Sequence, residues 1–230
     1  MQTPNITGIS SMATRQVLAE LADAYLQCSG VVVAFESTGG VDAVKRLQAG
    51  ESFDVVVLAA DAIDRLATAG RVVVGSKTDL VRSDVAIAVR AGSARPDIGS
   101  QDALRHAALS ARALGYSTGP SGVALSQLFE RWGIADAVRD RIVQAPPGVP
   151  VGQLVANGEV ELGFQQYSEL MHLPGIDVLG TMPAGCEIVT TFSGGLCTAS
   201  AQPEVVRALL DYMHSPAAAD AKRRHGMEPA

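Results

Sequence analysis

The chain has 230 residues, of which 47% are hydrophobic, 18% charged and only 4% aromatic; this excludes a disordered chain and leaves room for one large domain or two small lobes built on Ala, Val and Leu. The formal charge of −6, from 18 Lys and Arg against 24 Asp and Glu, excludes a nucleic-acid footprint spread over the whole surface. Cys28, Cys186 and Cys197 are an odd set without CxxC spacing, which argues against a disulfide framework and a zinc ribbon and for a reducing compartment.

From the N-terminus, Met-Gln-Thr-Pro-Asn lacks a charged n-region followed by an apolar h-region, and no apolar run reaches the roughly 18 residues of a membrane span. If Met1 is the native start, this reads as a cytoplasmic protein; if it replaces a removed signal peptide, as a periplasmic one. The first predicted elements are a strand over 6–9 and a helix over 12–27, whose Val17, Leu18, Leu21, Ala22 and Tyr25 recur at helical spacing. A second strand over 31–35 is wholly apolar and is expected to be covered on both faces. A helix over 41–49 closed by Gly50, a strand over 55–59 and a helix over 62–68 closed by Gly70 follow. A long strand covers 84–90, and Ala91 to Pro96 is a break rich in small and turn-forming residues.

Beyond the break come a helix over 102–109, a short strand over 111–115, a helix over 122–132, a Pro-rich loop over 146–150, a helix over 151–157 and a strand over 162–165. Residues 178–179 and 188–191 read as further strands, and 203–214 as a terminal helix with Pro203 in its first turn. Lys222-Arg223-Arg224-His225 falls where a last helix would end and reads as a complement to its dipole. This β-α alternation makes the class α/β.

Three strand-to-helix junctions are rich in hydroxyls and glycine: Gly8-Ile9-Ser10-Ser11, Glu36-Ser37-Thr38-Gly39-Gly40 and Ser117-Thr118-Gly119-Pro120-Ser121-Gly122. Ligands of open α/β sheets bind at such junctions, where helix N-termini offer unpaired N–H groups and partial positive charge, so three of them suit an anion. Each alone is also what N-caps and turns require. There is no GxxxxGK[ST] and no GxGxxG fingerprint with a spaced acid, so nucleotides are not expected. His106, His172, His214 and His225 have polar neighbours and no GxSxG partner, and read as surface histidines. No ligand spacing such as HExxH is present, so neither a metal nor another cofactor is expected.

In their order these motifs resemble the type II periplasmic-binding-protein-like family, and within it the molybdate-binding proteins of ABC transporters. The carriers are Ser10-Ser11, Phe35 to Gly40 followed by Leu47 to Gly50, Phe53-Asp54-Val55, Ala59-Ala60-Asp61, Gly119 to Gly122 before Trp132-Gly133-Ile134, Val155 to Glu159 before Leu162-Gly163-Phe164, and 209–218. The resemblance implies a two-lobed α/β fold with crossing hinge strands: residues 1–85 and 195–230 as one lobe, 86–194 as the other, a small anion in the cleft between them, and an ABC permease as partner only if the protein is exported. By position it implies ligand contacts from Ser10 or Ser11, Ser37, Ser121 and the segment Pro150-Val151, and Thr38, Ser117 and Gly122 of the same loops are candidates beside them. Where molybdate binders carry Tyr in a pattern like G-I-V-Y, this chain reads Gly163-Phe164-Gln165-Gln166 with Tyr167 one place later; these three join the candidate set, since a glutamine amide hydrogen-bonds a carboxylate well.

Two functions of different class follow. One is binding of an oxyanion or carboxylate. The other, suggested by aconitate isomerase as an enzymatic relative, is a cofactor-free 1,3-proton shift on an unsaturated polycarboxylate, which needs one base beside an anion clamp. Glu36 is the expected base, held in the cleft with a pKa raised by burial, and Glu169 the reserve, with Tyr116 a weaker candidate. Arg15, close to Ser11, is expected to pair with a substrate carboxylate.

Overall fold

The structure is a computed structural model, and it describes residues 5–146 and 148–230. Pro147 of the Pro-rich loop and the first four residues lie outside that set. In chain order the elements are β1 (Asn5–Ser11), α1 (Arg15–Ser29), β2 (Val32–Thr38), α2 (Gly40–Gln48), β3 (Val55–Ala59), α3 (Ala60–Thr68), β4 (Thr78–Arg90), α4 (Gln101–Ser110), β5 (Leu114–Ser117) and α5 (Pro120–Arg131). They continue with α6 (Ala135–Val138), β6 (Ile142–Ala145), α7 (Val151–Asn157), β7 (Leu162–Gln166), α8 (Tyr167–Leu170), β8 (Ile176–Thr181), β9 (Val189–Leu196), α9 (Pro203–His214), α10 (Ala219–Arg224) and β10 (Glu228–Pro229). The chain divides into two units: residues up to Arg82 with Thr191–Ala230, and Ser83–Thr190. Both boundaries fall inside strands, β4 and β9.

In the first unit the strand order is β2-β1-β3-β9-β4, with β10 pairing β4. Strands β1, β2 and β3 are parallel, and β9 is antiparallel to β3. Alternation along β3 sends Val55 and Val57 to one core, with Leu18, Leu21, Leu209 and Met213 of α1 and α9, and Val56 and Leu58 to the other, with Leu47, Ile63 and Leu66 of α2 and α3. Helices therefore cover both faces of this sheet, as the all-apolar β3 requires. Gly8 lets β2 approach β1, since a Cβ there would lie 2.4 Å from the Phe35 ring and 2.9 Å from Val55.

The segment 31–35 departs from expectation. It is an edge strand in which Val32, Ala34 and Glu36 are exposed while Val33 and Phe35 are half-buried against the core; an apolar run says nothing about whether a strand has a neighbour on both sides. The predicted helix over 12–27 begins instead with a 3-10 turn over Met12–Thr14, because the Ser11 hydroxyl accepts from the Ala13 N–H and fixes that turn before α1 starts. At the other end of the chain, Lys222 is fully buried rather than solvated, and Arg224 and His225 both meet Glu20, with His225 Nε2 2.8 Å from its carboxylate. The basic cluster closes the last helix against α1 in addition to complementing its dipole, and His225 is not a surface histidine.

In the second unit the order is β4-β7-β5-β6, with β8 also pairing β4; β5, β6 and β7 are parallel and β4 runs against β7. Val85, Ile87, Leu114 and Phe164 pack with Leu104, Leu125 and Phe129 of α4 and α5. The opposite face of β5 and β7 is kept bare by Gly115 and Gly163. A Cβ at Gly163 would lie 2.5 Å from Val155, so α7 rests almost directly on the strand backbone. The expected strand over 111–115 is β5, three residues later, because Ala111 is the C-cap of α4. Strand β6 has no counterpart among the predicted elements.

Candidate functional site

In the first unit the ends of β1 and β2 bring two serines together. Ser10 and Ser37 are register partners, and their hydroxyls share a 2.8 Å hydrogen bond, with Ser10 fully buried and Ser37 half-buried. Thr38 follows, half-buried, and the nine-residue helix α2 begins at Gly40 with no side chain capping it. An uncapped helix N-terminus beside hydroxyls leaves donors and partial positive charge for an anion. Ser11 has a different role: its hydroxyl caps the turn before α1, and its carbonyl accepts from the Thr14 hydroxyl at 3.0 Å. Arg15 opens α1, is exposed, and forms no ion pair among the described residues.

Glu36 contradicts the expectation placed on it. It is exposed on the edge strand and ion-paired with Arg46, which also bridges to Glu51 and lies 5.5 Å from the centroid of the Phe53 ring. Hydrogen bonding to that guanidinium holds the Glu36 carboxyl below the ordinary carboxylate range. A carboxylate stabilised in its charged form and open to water is a poor base at neutral pH.

In the second unit the end of β5 and the start of α5 form the third junction. Ser117 accepts from the Gly119 N–H at 3.4 Å, and α5 starts at Pro120 without a side-chain cap. Ser121 and Gly122 are buried. Gly122 packs so closely that a Cβ would fall 1.8 Å from the Ser117 carbonyl oxygen, so this loop can close only around a glycine. The Val151 side chain belongs wholly to the core, which leaves only its backbone N–H for any ligand.

At the end of β7, Gln165 and Gln166 point to opposite faces, as strand alternation demands. Gln165 is 2% exposed; its Oε1 accepts from the Gly152 N–H in the first turn of α7 at 3.3 Å, and its Nε2 donates to Glu169 Oε1 at 2.8 Å. Burial pushes the Glu169 carboxyl up to about 7, against the smaller opposing effect of the Gln165 hydrogen bond. Gln166 donates to the Thr190 hydroxyl at 2.7 Å, and its buried Oε1 has no partner among the described residues. Tyr167 packs against Ala86, Ala88 and Leu170, a core role the sequence does not announce.

The family model for bacterial extracellular solute-binding proteins matches residues 6–228. The chain belongs to that family. Within it, the chain is similar to an aconitate isomerase from a Pseudomonas species, 38% identical, with 97% of this chain and 87% of that protein covered. Among solved structures it is similar to the periplasmic molybdate-binding protein of Azotobacter vinelandii, with a TM-score of 0.79 at 19% identity over 96% of this chain and 98% of that one. It is also similar to the sulfate-binding protein of Mycobacterium tuberculosis, with a TM-score of 0.79 at 16% identity over 99% and 87%. The fold is therefore that of type II periplasmic-binding-protein domains. Against that family background, the group that sequence reasoning underrates is the Gly152–Gln165–Glu169 chain. The spacing of four between Gln165 and Glu169 is its visible signal, because α8 starts directly after β7 and turns the acid back over the strand end. Thr190, the partner of Gln166, has no local signal.

Proposed function

We propose that this protein binds an unsaturated polycarboxylate of the aconitate type and isomerises it by a 1,3-proton shift, with Glu169 carrying the proton. The observation behind this is the Glu169 carboxyl, pushed up to about 7 by burial and oriented by Gln165. A general base works best when its pKa lies near the operating pH. The step balances without a cofactor. Glu169 takes a proton from the methylene carbon beside the double bond, the electron pair moves through the allylic system, and the proton returns to the carbon at its far end. In the second unit, which also holds Glu169, the uncapped start of α5 offers donors for a substrate carboxylate; the first unit has its own anion-binding groups in the Ser10–Ser37 pair, the uncapped start of α2 and Arg15. The 38% identical aconitate isomerase supports the same substrate class.

The second reading is anion binding without turnover, as in a transporter's solute receptor with an ABC permease as partner. The hydroxyl-rich loops and the solute-binding family membership favour it. One experiment separates the two: trans-aconitate is incubated with the purified chain in D2O and followed by proton NMR. Appearance of the cis isomer with deuterium at the allylic carbon supports the isomerase. Ligand-induced thermal stabilisation without isomerisation leaves the receptor reading, and neither response rejects both.

A further inference from the structure

A cavity lies wholly in the second unit, away from its hydroxyl loop. Its volume is about 810 Å³, and it is walled by the end of β4, the segment 93–97, α4 and the residues leading into β5 and β7. Strands β5 and β7 are parallel, and the cavity meets them at their starts, through Arg112, Glu161 and Leu162, while antiparallel β4 contributes its last residues, Val89 and Arg90. It therefore sits at the opposite end of these strands from Ser117 and Gln166. The size falls in the range of small-molecule sites, roughly 300–1,000 Å³.

Its floor is apolar, formed by Val89, Ala107, Val160 and Leu162. Two of the arginines around its rim are ion-paired, and two of the carboxylates, Asp97 and Asp102, are held by backbone groups alone. Arg112 pairs with Glu161 at 3.2 Å and Arg95 with Asp177 at 3.2 Å. Asp97 accepts from the Gly99 N–H at 2.8 Å, and Asp102 lies in the first turn of the ten-residue α4, where the positive end of the helix offsets it. The Arg90 guanidinium forms no ion pair or hydrogen bond among the described residues. It lies along the wall at Gly158, where an added Cβ would stand 3.6 Å from Nη1.

An apolar floor under an uncommitted guanidinium selects for a molecule with an apolar body and one carboxylate. We propose that this cavity is a second binding site, taking a small amphipathic monocarboxylate, with its chain on Val89, Val160 and Leu162 and its carboxylate on Arg90. Bidentate guanidinium–carboxylate pairing fixes the head, and each methylene that reaches the floor adds up to about fourfold in affinity. The site is independent of the isomerase reading.

Titration calorimetry of the full chain with octanoate, butyrate and octan-1-ol tests this, with amide chemical-shift mapping in parallel. Octanoate should bind at least tenfold more tightly than either comparator, with shifts at Ser93, Ala103 and Gly158. Arg90→Gln, an exposed position at a strand end, should weaken octanoate at least tenfold and leave isomerisation and thermal stability as in the wild type. Ser37→Ala should leave octanoate binding unchanged. Absence of octanoate binding, equal affinity for octan-1-ol, wild-type affinity in Arg90→Gln, or shifts confined to the hydroxyl loops would each overturn the proposal.

Discussion

Replacing Glu169 by Gln tests both the electrostatics of the candidate site and the role proposed for it. In the folded protein burial raises this carboxyl from 4.5 to about 7, so between those values the native state holds a proton that the unfolded chain has released. Stability from this group is therefore complete below about pH 4.5 and declines as pH rises through 7. The full loss is about 3 kcal/mol, because each pH unit between the two values is worth about 1.4 kcal/mol. Glutamine keeps the shape and can still accept from Gln165 Nε2, but it cannot ionise. Urea unfolding of wild type and Glu169→Gln across pH 4 to 8.5 should show little difference at the acid end, beyond a constant offset for the swap. The variant should gain progressively above pH 5, approaching about 3 kcal/mol at pH 8. It should also retain trans-aconitate binding and lose isomerisation. A difference that does not change with pH, or one that favours the wild type at pH 8, would show that the carboxyl is not desolvated as described and would remove the physical basis for using it as the base.

Three further outcomes follow from the geometry. Ser37→Ala removes the partner of the fully buried Ser10 hydroxyl, so it should cost about 1 kcal/mol of folding stability in urea melts and, by calorimetry, about 1 to 3 kcal/mol of affinity for a bound anion; wild-type affinity would assign the hydroxyl pair to structure alone. Gly122→Ala places a Cβ 1.8 Å from the Ser117 carbonyl, so the loop must open and thermal unfolding should report a loss of about 3 kcal/mol. Of the three free thiols, Cys28 is exposed, while burial pushes Cys197 up to about 12 and Cys186 upward; a disulfide exchange reagent should titrate one thiol in the native protein and all three in denaturant.

The α/β class and the positions of most elements are legible because they depend on local signals: helical spacing in 17–25, Gly50 and Gly70 with positive φ just past the ends of α2 and α3, and Pro203 opening α9. The exposure of β2 is not legible, because edge or centre is decided by which strand pairs with which. The error over Glu36 has the same origin. Its place beside Ser37 suggests a raised pKa, but in a strand adjacent residues point to opposite sides. The alternation that turns Ser37 toward Ser10 turns Glu36 outward to Arg46, ten residues later on α2. The charge state of a carboxyl depends on such tertiary partners, and the spacing of loop residues does not contain them.

The hydroxyl loops look alike in sequence, yet the structure gives their members different work. Ser11 accepts from the Ala13 N–H and Ser117 from the Gly119 N–H, as local capping predicts for serine at a strand-to-helix turn. Among the described residues the Ser10 and Ser37 hydroxyls bond only to each other, and between them they have two protons for a single mutual bond, which leaves one donor to spare. The starts of α2 and α5 carry no side-chain cap at all. Within each unit such leftover donors suit an anion, which needs donors and offers only acceptors. Of two serines adjacent in β1, Ser11 therefore caps the turn before α1 while Ser10 pairs with Ser37, a distinction that rests on which hydrogen bonds are made.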